Sequence, residues 1–480
     1  MAIHKHKLTS GTDHLKGGPG TDLFLAPSVK VSGHLVATLT NTDVLDGGKG
    51  IDTIQAALHG KSLAPELLHL ENAVFSHAAK TSFKLDLAKA VDLQSLTLDQ
   101  FHSDAKVVHA DWLDTLTVSN AKSINMRLSG TDTNAITAMD LNFANLKDVD
   151  LRLAHSGPVF AELDVTLSSS RVYLTGACDA DWVKIHSNGK HHNTVVLEPD
   201  SAIPMISTVT ITGKADLDML DGDPGALHGI ANVLGSTFKG DLTGSFGGAA
   251  LSRVLTGSGD DWVAITEINN SSKFDAKVDL GAGRDFLSLI QIVIDFQGAG
   301  FQGGAGIDTL LVRGNASHWQ SPVSEFENLQ LMTATGTYAL NSDWQRVTFL
   351  DQVPDVNNVV LQGGTALVAV TATASSDGFF LEDLGGSVAA KAKVSMRGGD
   401  DFLGLNNLDL DAATQHFFGG AGFDEVLIKG GLSGLDLFDG FEQLGIIAGA
   451  GTYNLQASDF TNVRFAGATA GSVFITNMAS

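Results

Sequence analysis

A single cysteine, Cys178, in 480 residues leaves no partner for an intramolecular disulfide, so the chain must be stabilised by other means. No Cys/His cluster has the spacing of a zinc site. Basic residues are also scarce, with Lys and Arg numbering 30 against 54 Asp and Glu, a formal net charge of −24. This balance disfavours nucleic acid and anionic membrane as partners and favours divalent cations. No run of about 18 apolar residues is present to cross a membrane as a helix. The opening Met-Ala-Ile-His-Lys-His-Lys-Leu-Thr lacks the apolar stretch of a secretory signal peptide.

Catalytic signatures are missing too. There is no His-Glu-x-x-His zinc-protease motif, Gly-x-Ser-x-Gly nucleophile elbow, P-loop or Rossmann fingerprint. The histidine pairs His4/His6 and His191/His192 have no third ligand at a recognisable spacing and read as tail or loop residues. Cys178 has no basic neighbour to activate it. The acid pairs Asp260-Asp261, Asp400-Asp401 and Asp409/Asp411 are explained better by metal or solvent than by general acid and base roles. The expectation is a protein that is not an enzyme. Helical periodicity is nearly absent as well, with only Pro65–Leu68 and Ser82–Ala90 reading as short helices or turns.

Glycine is abundant, at 53 residues against 9 prolines. With 43% hydrophobic residues and a positive mean hydropathy, this composition argues for a packed interior. The glycines are patterned. Gly47-Gly48-Lys49-Gly50-Ile51-Asp52, Gly303-Gly304-Ala305-Gly306-Ile307-Asp308 and Gly419-Gly420-Ala421-Gly422-Phe423-Asp424 share one unit, as does Gly17-Gly18-Pro19-Gly20-Thr21-Asp22, preceded by Gly11-Thr12-Asp13. Degenerate copies carry Gly259 and Asp261, Gly283 and Asp285, and Gly398-Gly399-Asp400-Asp401; the stretch Gly176 to Asp181 is too worn to assign. Glycines at these places let the backbone turn tightly and present its carbonyls, while the aspartate adds a hard anionic oxygen. The pattern therefore offers Ca²⁺ ligands at Asp13, Gly18, Gly20, Asp22, Gly48, Gly50, Asp52, Gly259, Asp261, Gly283, Asp285, Gly304, Gly306, Asp308, Asp401, Gly420, Gly422 and Asp424. The alternative at each corner is a Gly/Asp turn without metal.

Spacing orders these corners. Asp285 and Asp308 lie 23 residues apart, as do Asp401 and Asp424, about one coil of a three-sided parallel solenoid. Aspartates at that interval stack at one corner of successive coils, where a cation staples coil to coil. A duplication is also visible: Lys277 to Leu289 corresponds to Lys393 to Leu405. In both copies a full glycine unit follows, then Phe326-Glu327-Asn328-Leu329 or Phe441-Glu442-Gln443-Leu444. Leu70-Glu71-Asn72-Ala73 repeats this after the Asp52 unit. Between them, Leu113–Ser119, Val149–Leu153 and Thr208–Thr212 alternate with period two, as strands do.

The unit Gly-Gly-x-Gly-x-Asp-x-apolar-x resembles the repeat of the RTX family of calcium-binding secreted bacterial proteins, and the surrounding rungs resemble RTX-type surface-layer proteins. The resemblance implies an all-β, elongated right-handed parallel β-solenoid or β-roll with calcium-stapled coils. Four parts are expected: an N-terminal RTX-type module at 1–75, a β-rich region with few calcium corners at 76–255, and repeat modules at 256–365 and 366–480. It also implies export by a type I system that reads an uncleaved C-terminal signal, here Phe460 to Ser480, and a place outside the cell or at its surface. The expected role is a calcium-dependent, self-assembling structural subunit of a surface layer, sheath or filament whose main partner is itself. The alternatives are an adhesin that binds cell-surface polysaccharide and, less favoured, a β-helix enzyme acting on polysaccharide.

Overall fold

The structure is a computed structural model that describes the chain except residues 1–2, 91, 130–137, 155–161, 176–179, 199–205, 222–226, 249, 267–275, 291–299, 316–322, 354–358, 365, 384–391, 407–414, 430–436, 448–450, 455–458, 467–472 and 477–480. It is an all-β parallel solenoid. Among the described residues there is no helix, and the strands of successive coils pair in parallel, with one antiparallel exception at Val29–Val31 and His34–Val36. Two compact units are formed, Met1–Ser258 and Gly259–Ser480.

Within the first unit one stack runs through Asn72–Ser76, Ser95–Asp99, Thr115–Ser119, Ala138–Ala144, Glu162–Ser168, Trp182–Asn188 and Thr208–Gly213. Its register is constant: Leu96 lies beside Leu116, then Leu141, Val165, Ile185 and Ile211, one inward apolar side chain per coil. All six are buried, and each such burial contributes about 1.5–3 kcal/mol. Alternation along the strand makes this possible, because residues i and i+2 share a face. A second stack includes Phe83–Asp86, Ala105–Val108, Lys122–Ser129 and Lys147–Ala154. A short third one joins His14–Lys16, Val44–Asp46 and Glu66–Leu68.

The three alternating segments are strands, within Thr115–Ser119, Lys147–Ala154 and Thr208–Gly213. Of the two helix-or-turn expectations neither is a helix: Glu66–Leu68 and Phe83–Asp86 are strands, and only Ala88 and Lys89, closed by the Ala90 N–H donating to the Leu87 carbonyl, form a turn. Neighbouring coils supply hydrogen-bond partners to both strands, and that outweighs local propensity. His4 and His6 likewise belong to a strand, His4–Lys7, and not to a tail. Four corners of the middle coils turn without glycine, while Gly189 and Gly213 serve the next two. Gln100, Asn120, Asn145 and Ser169 adopt φ near +55°, and Asn120 and Asn145 link coils through their amides, Asn120 Nδ2 donating to Asp99 at 2.7 Å and Asn145 Nδ2 to Asn120 at 3.2 Å. Short polar side chains such as asparagine tolerate this conformation.

In the second unit the duplicated modules are out of phase by one face. Strand Thr309–Asn315, which follows the Asp308 corner, leads by parallel pairing through Asn328–Leu340, Arg346–Phe349, Ala369–Thr371 and Lys393–Ser395 to His416–Phe418. That last strand precedes the Asp424 corner. The thirteen-residue strand Asn328–Leu340 makes the change, pairing with Arg346–Phe349 through its first part and with Val359–Gly363 through its last.

Candidate metal centres in aspartate ladders

The corner aspartates stack as the 23-residue spacing predicts, and they form directed ladders. The backbone N–H of Asp22 donates to Asp52 Oδ1 at 2.7 Å. In the second unit Asp261 donates to Asp285 and Asp285 to Asp308, both at 2.7 Å. At the other corner the sequence is Val353 to Asp377 to Asp401 to Asp424, at 2.7 to 2.8 Å. Each ladder ends on a glutamate: Glu71, Glu327 and Glu442 accept the N–H of Asp52, Asp308 and Asp424 through Oε2 at 2.7, 2.7 and 2.8 Å. The side chain of Asn72 or Asn328 then reaches the carbonyl of that last aspartate.

In five of these carboxylates one oxygen is thus occupied and the other is not. Oδ2 of Asp52, Asp285, Asp308, Asp401 and Asp424 has no hydrogen-bond partner, although these residues are at most 2% exposed. Burial pushes all five carboxyls above the usual carboxylate range, and neighbouring acids add to it; Asp285 is pushed up to about 8 and Asp401 to about 7. Buried polar groups nearly always have partners, so one orphaned oxygen repeated at five equivalent positions is a set of donors that a cation could satisfy.

Glycine makes the surrounding cradle. Coils approach so closely that a Cβ on Gly48, Gly50, Gly283, Gly304, Gly306, Gly420 or Gly422 would collide with a carbonyl oxygen of the adjacent coil, those of Gly18, Gly20, Gly259, Gly281, Gly283, Arg397 and Gly399 respectively. Gly422 in addition sits at φ +148°, where a side chain is strained. At the first glycine of each full unit, Gly17, Gly47, Gly303 or Gly419, a Cβ would meet both a carbonyl from the next coil and the Oδ2 of the unit's own aspartate. Carboxylate and carbonyl oxygens therefore converge there. Among the described residues no group of three or more His, Cys, Asp or Glu side chains is placed to hold a metal. The donor set is one carboxylate per coil plus backbone carbonyls, which suits Ca²⁺ and does not suit Zn²⁺.

Two of the aspartates differ. Asp22 accepts His6 Nε2 at 2.8 Å on Oδ1 and the Gly18 N–H at 2.8 Å on Oδ2. Burial raises its pKa, but the His6 ring, stacked on Phe24, and the Gly18 N–H outweigh it and hold the carboxyl low. Asp13 lies outside the glycine cradle: its Oδ2 accepts the Thr9 N–H at 2.8 Å, and the Thr9 hydroxyl reaches both oxygens. Its carboxylate is thus satisfied by the donors of its own turn.

Sequence reasoning found the Glu-Asn/Gln motif but gave it no chemical part, and it missed Asp92, Asp343 and Asp459. Each of these accepts, through Oδ2, the N–H of the residue two places before a ladder-ending glutamate: His69, Glu325 and Gly440, at 2.9 to 3.0 Å. The recurring Asp-apolar-Gln/Thr of Asp92-Leu93-Gln94, Asp343-Trp344-Gln345 and Asp459-Phe460-Thr461 was the available signal. Asp260 and Asp400 accept the N–H of Arg284 and Phe423 at the same corners, a structural use of both acid pairs. Gly176 to Asp179, Asp409, Asp411 and part of the Phe460 to Ser480 tail lie outside the described residues. Compared with known proteins, the chain matches no family model and no curated sequence.

Proposed function

We propose that the chain is a calcium-dependent, self-assembling structural protein of the cell surface, a surface-layer, sheath or filament subunit of RTX type exported by type I secretion. The observation that carries this reading is the set of five buried, unpartnered Oδ2 atoms beside stacked glycine corners. Bound there, Ca²⁺ would neutralise the apposed carboxylates and tie each coil to the next. Asp52, Asp285, Asp308, Asp401 and Asp424 would hold it with carbonyls of the corner glycines. Affinities of extracellular calcium modules leave such corners empty in a cytosol and filled outside, so folding follows export.

Assembly has support of a different kind. Ile51, Ile307 and Phe423 occupy the same place in three full glycine units, directly before the aspartate, and are 65%, 61% and 46% exposed. Exposed apolar side chains repeated at equivalent corners suit contacts between like copies. Electron microscopy with and without calcium tests the reading. Arrays or fibres are expected in calcium, dispersing when a chelator is added; ordered subunits that persist unchanged after chelation would sink it.

The adhesin remains as a second reading because of one groove in the first unit, of about 670 Å³, lined among others by Lys7, Gln55, Ser76, Asp99 and Gln100. The polar side chains of this mixed lining suit the hydroxyls of a polysaccharide, and Leu25, Pro27 and Val74 beside them suit the apolar faces of its rings. Monodisperse particles that bind glycan in calcium would favour it over assembly.

A further inference from the structure

We infer that Glu71, Glu327 and Glu442 are the closing carboxylates of a terminal cation site at the end of each ladder, in coils that have no glycine unit of their own. The inference rests on the calcium reading above and extends it from the glycine corners to the coil that follows each one.

The same arrangement occurs three times. Two residues before each glutamate stands a residue with positive φ: His69 at +51°, Glu325 at +62° and Gly440 at +68°. Its carbonyl oxygen takes the place that a Cβ on the first corner glycine, Gly47, Gly303 or Gly419, would fill, next to the Oδ2 of Asp52, Asp308 or Asp424. The N–H of that glycine is meanwhile fixed to the preceding carbonyl, of Leu68, Ser324 or Asp439, at 2.9 to 3.1 Å. A left-handed residue, an apolar residue and a glutamate therefore reproduce what the next glycine corner would have presented: one carbonyl and one carboxylate. Leu70, Phe326 and Phe441 are fully or nearly fully buried and anchor the triplet. The N–H of the left-handed residue is tied to Asp92, Asp343 or Asp459 on the following coil, which fixes its unusual conformation.

Two features separate a ligand-closing role from simple capping. The aspartate facing each glutamate is 0% exposed and keeps one oxygen unpartnered after its neighbour's hydrogen bond has been made. Neutral glutamine would also accept the aspartate N–H, so the hydrogen bond alone does not require a second negative charge, on a half-buried glutamate, beside the buried aspartate. A divalent cation does, because the last aspartate and the glutamate together match its charge.

The test is calcium titration calorimetry on the full chain carrying Glu71→Gln, Glu327→Gln and Glu442→Gln, with Glu66→Gln, a surface partner of Lys89, as the control. Each glutamine keeps the acceptor and removes the charge. The triple variant should lose three tight sites, or bind at them at least about tenfold more weakly, while the control binds as the parent does. If the triple variant does not fold, Glu327→Gln alone should lose one site. Unchanged ion number and affinity in a parent that does bind calcium would overturn this inference and leave the calcium reading standing. A parent that takes up no calcium would overturn both.

Discussion

Asp377 and Asp401 lie on consecutive coils of one ladder, and their second carboxylate oxygens meet opposite fates. Asp377 Oδ2 accepts the N–H of Thr373 at 2.8 Å and its hydroxyl at 2.7 Å. Asp401 Oδ2 accepts nothing. The turn before Asp377 reads Thr-Ala-Ser-Ser and folds its own threonine onto the carboxylate, as Thr9 does for Asp13; the turn before Asp401 reads Arg-Gly-Gly-Asp, and its N–H groups at Gly398, Gly399 and Asp400 donate to Met396, Ala421 and Ser376 instead. A threonine corner is complete as synthesised. A glycine corner leaves that oxygen without a hydrogen-bond partner, and the fold places both kinds on one ladder.

The contrast is sharpest in its dependence on pH. The five glycine-corner carboxyls have folded-state pKa values above the unfolded one, so the metal-free protein is most stable where they are protonated. It loses that stability as pH rises through about 7 for Asp401 and about 8 for Asp285. Asp22 acts the other way, but only below about pH 4. In chelator, the protein should therefore be clearly more stable, with a higher thermal midpoint, at pH 5 than at pH 9, Asp285 contributing up to about 4 kcal/mol and Asp401 less. Calcium should close or reverse the gap. A chelated protein more stable at pH 9 would contradict the assignment of buried, unpaired carboxyls.

Next in size is Gly422→Ala, which sets a Cβ against the Gly399 carbonyl in a conformation hostile to side chains. Denaturant titration should find a loss of roughly 3 kcal/mol or more with and without calcium. Asp401→Asn separates the two states instead. Removing the charge should raise stability in chelator at pH 9 by about 2–4 kcal/mol and lower it in calcium; the same sign in both media would erase the distinction between the two corners. The smallest effect belongs to Thr373→Ala, which removes one hydroxyl from Asp377. A cost of about 1 kcal/mol, equal with and without calcium, is expected from calorimetric melting.

Much of this was legible in the sequence because the coils that carry paired glycine units in the second unit repeat at one interval. The interval from Asp285 to Asp308 gave the stacking, and alternation in Thr115–Ser119 gave the strand. Less was legible where the decisive fact is what a side chain touches on another coil. Asp13 and Asp22 sit in similar glycine-rich text, yet a threonine four residues earlier saturates one, and a histidine on the preceding strand reaches the other. Glu71 could be seen to recur without revealing its acceptor role, since its partner, the Asp52 N–H, is backbone and leaves no mark in sequence. The strands at Glu66–Leu68 and Phe83–Asp86 were hidden for a related reason: their partners are coils, not neighbours in the chain.

The ladders also have a direction. In every rung the amide belongs to the earlier coil and the acceptor to the later one, ending at a glutamate downstream of all its aspartates. For these carboxylate rungs the acceptor comes after its donor in the chain, whereas strand amides at the same corners, such as those of Phe286 and Thr309, donate back to the earlier Asp261 and Asp285. A polypeptide emerging from a channel with its downstream portion leading would find each ladder carboxylate already in place, whereas one emerging in the opposite sense would expose each ladder amide until the next turn arrived.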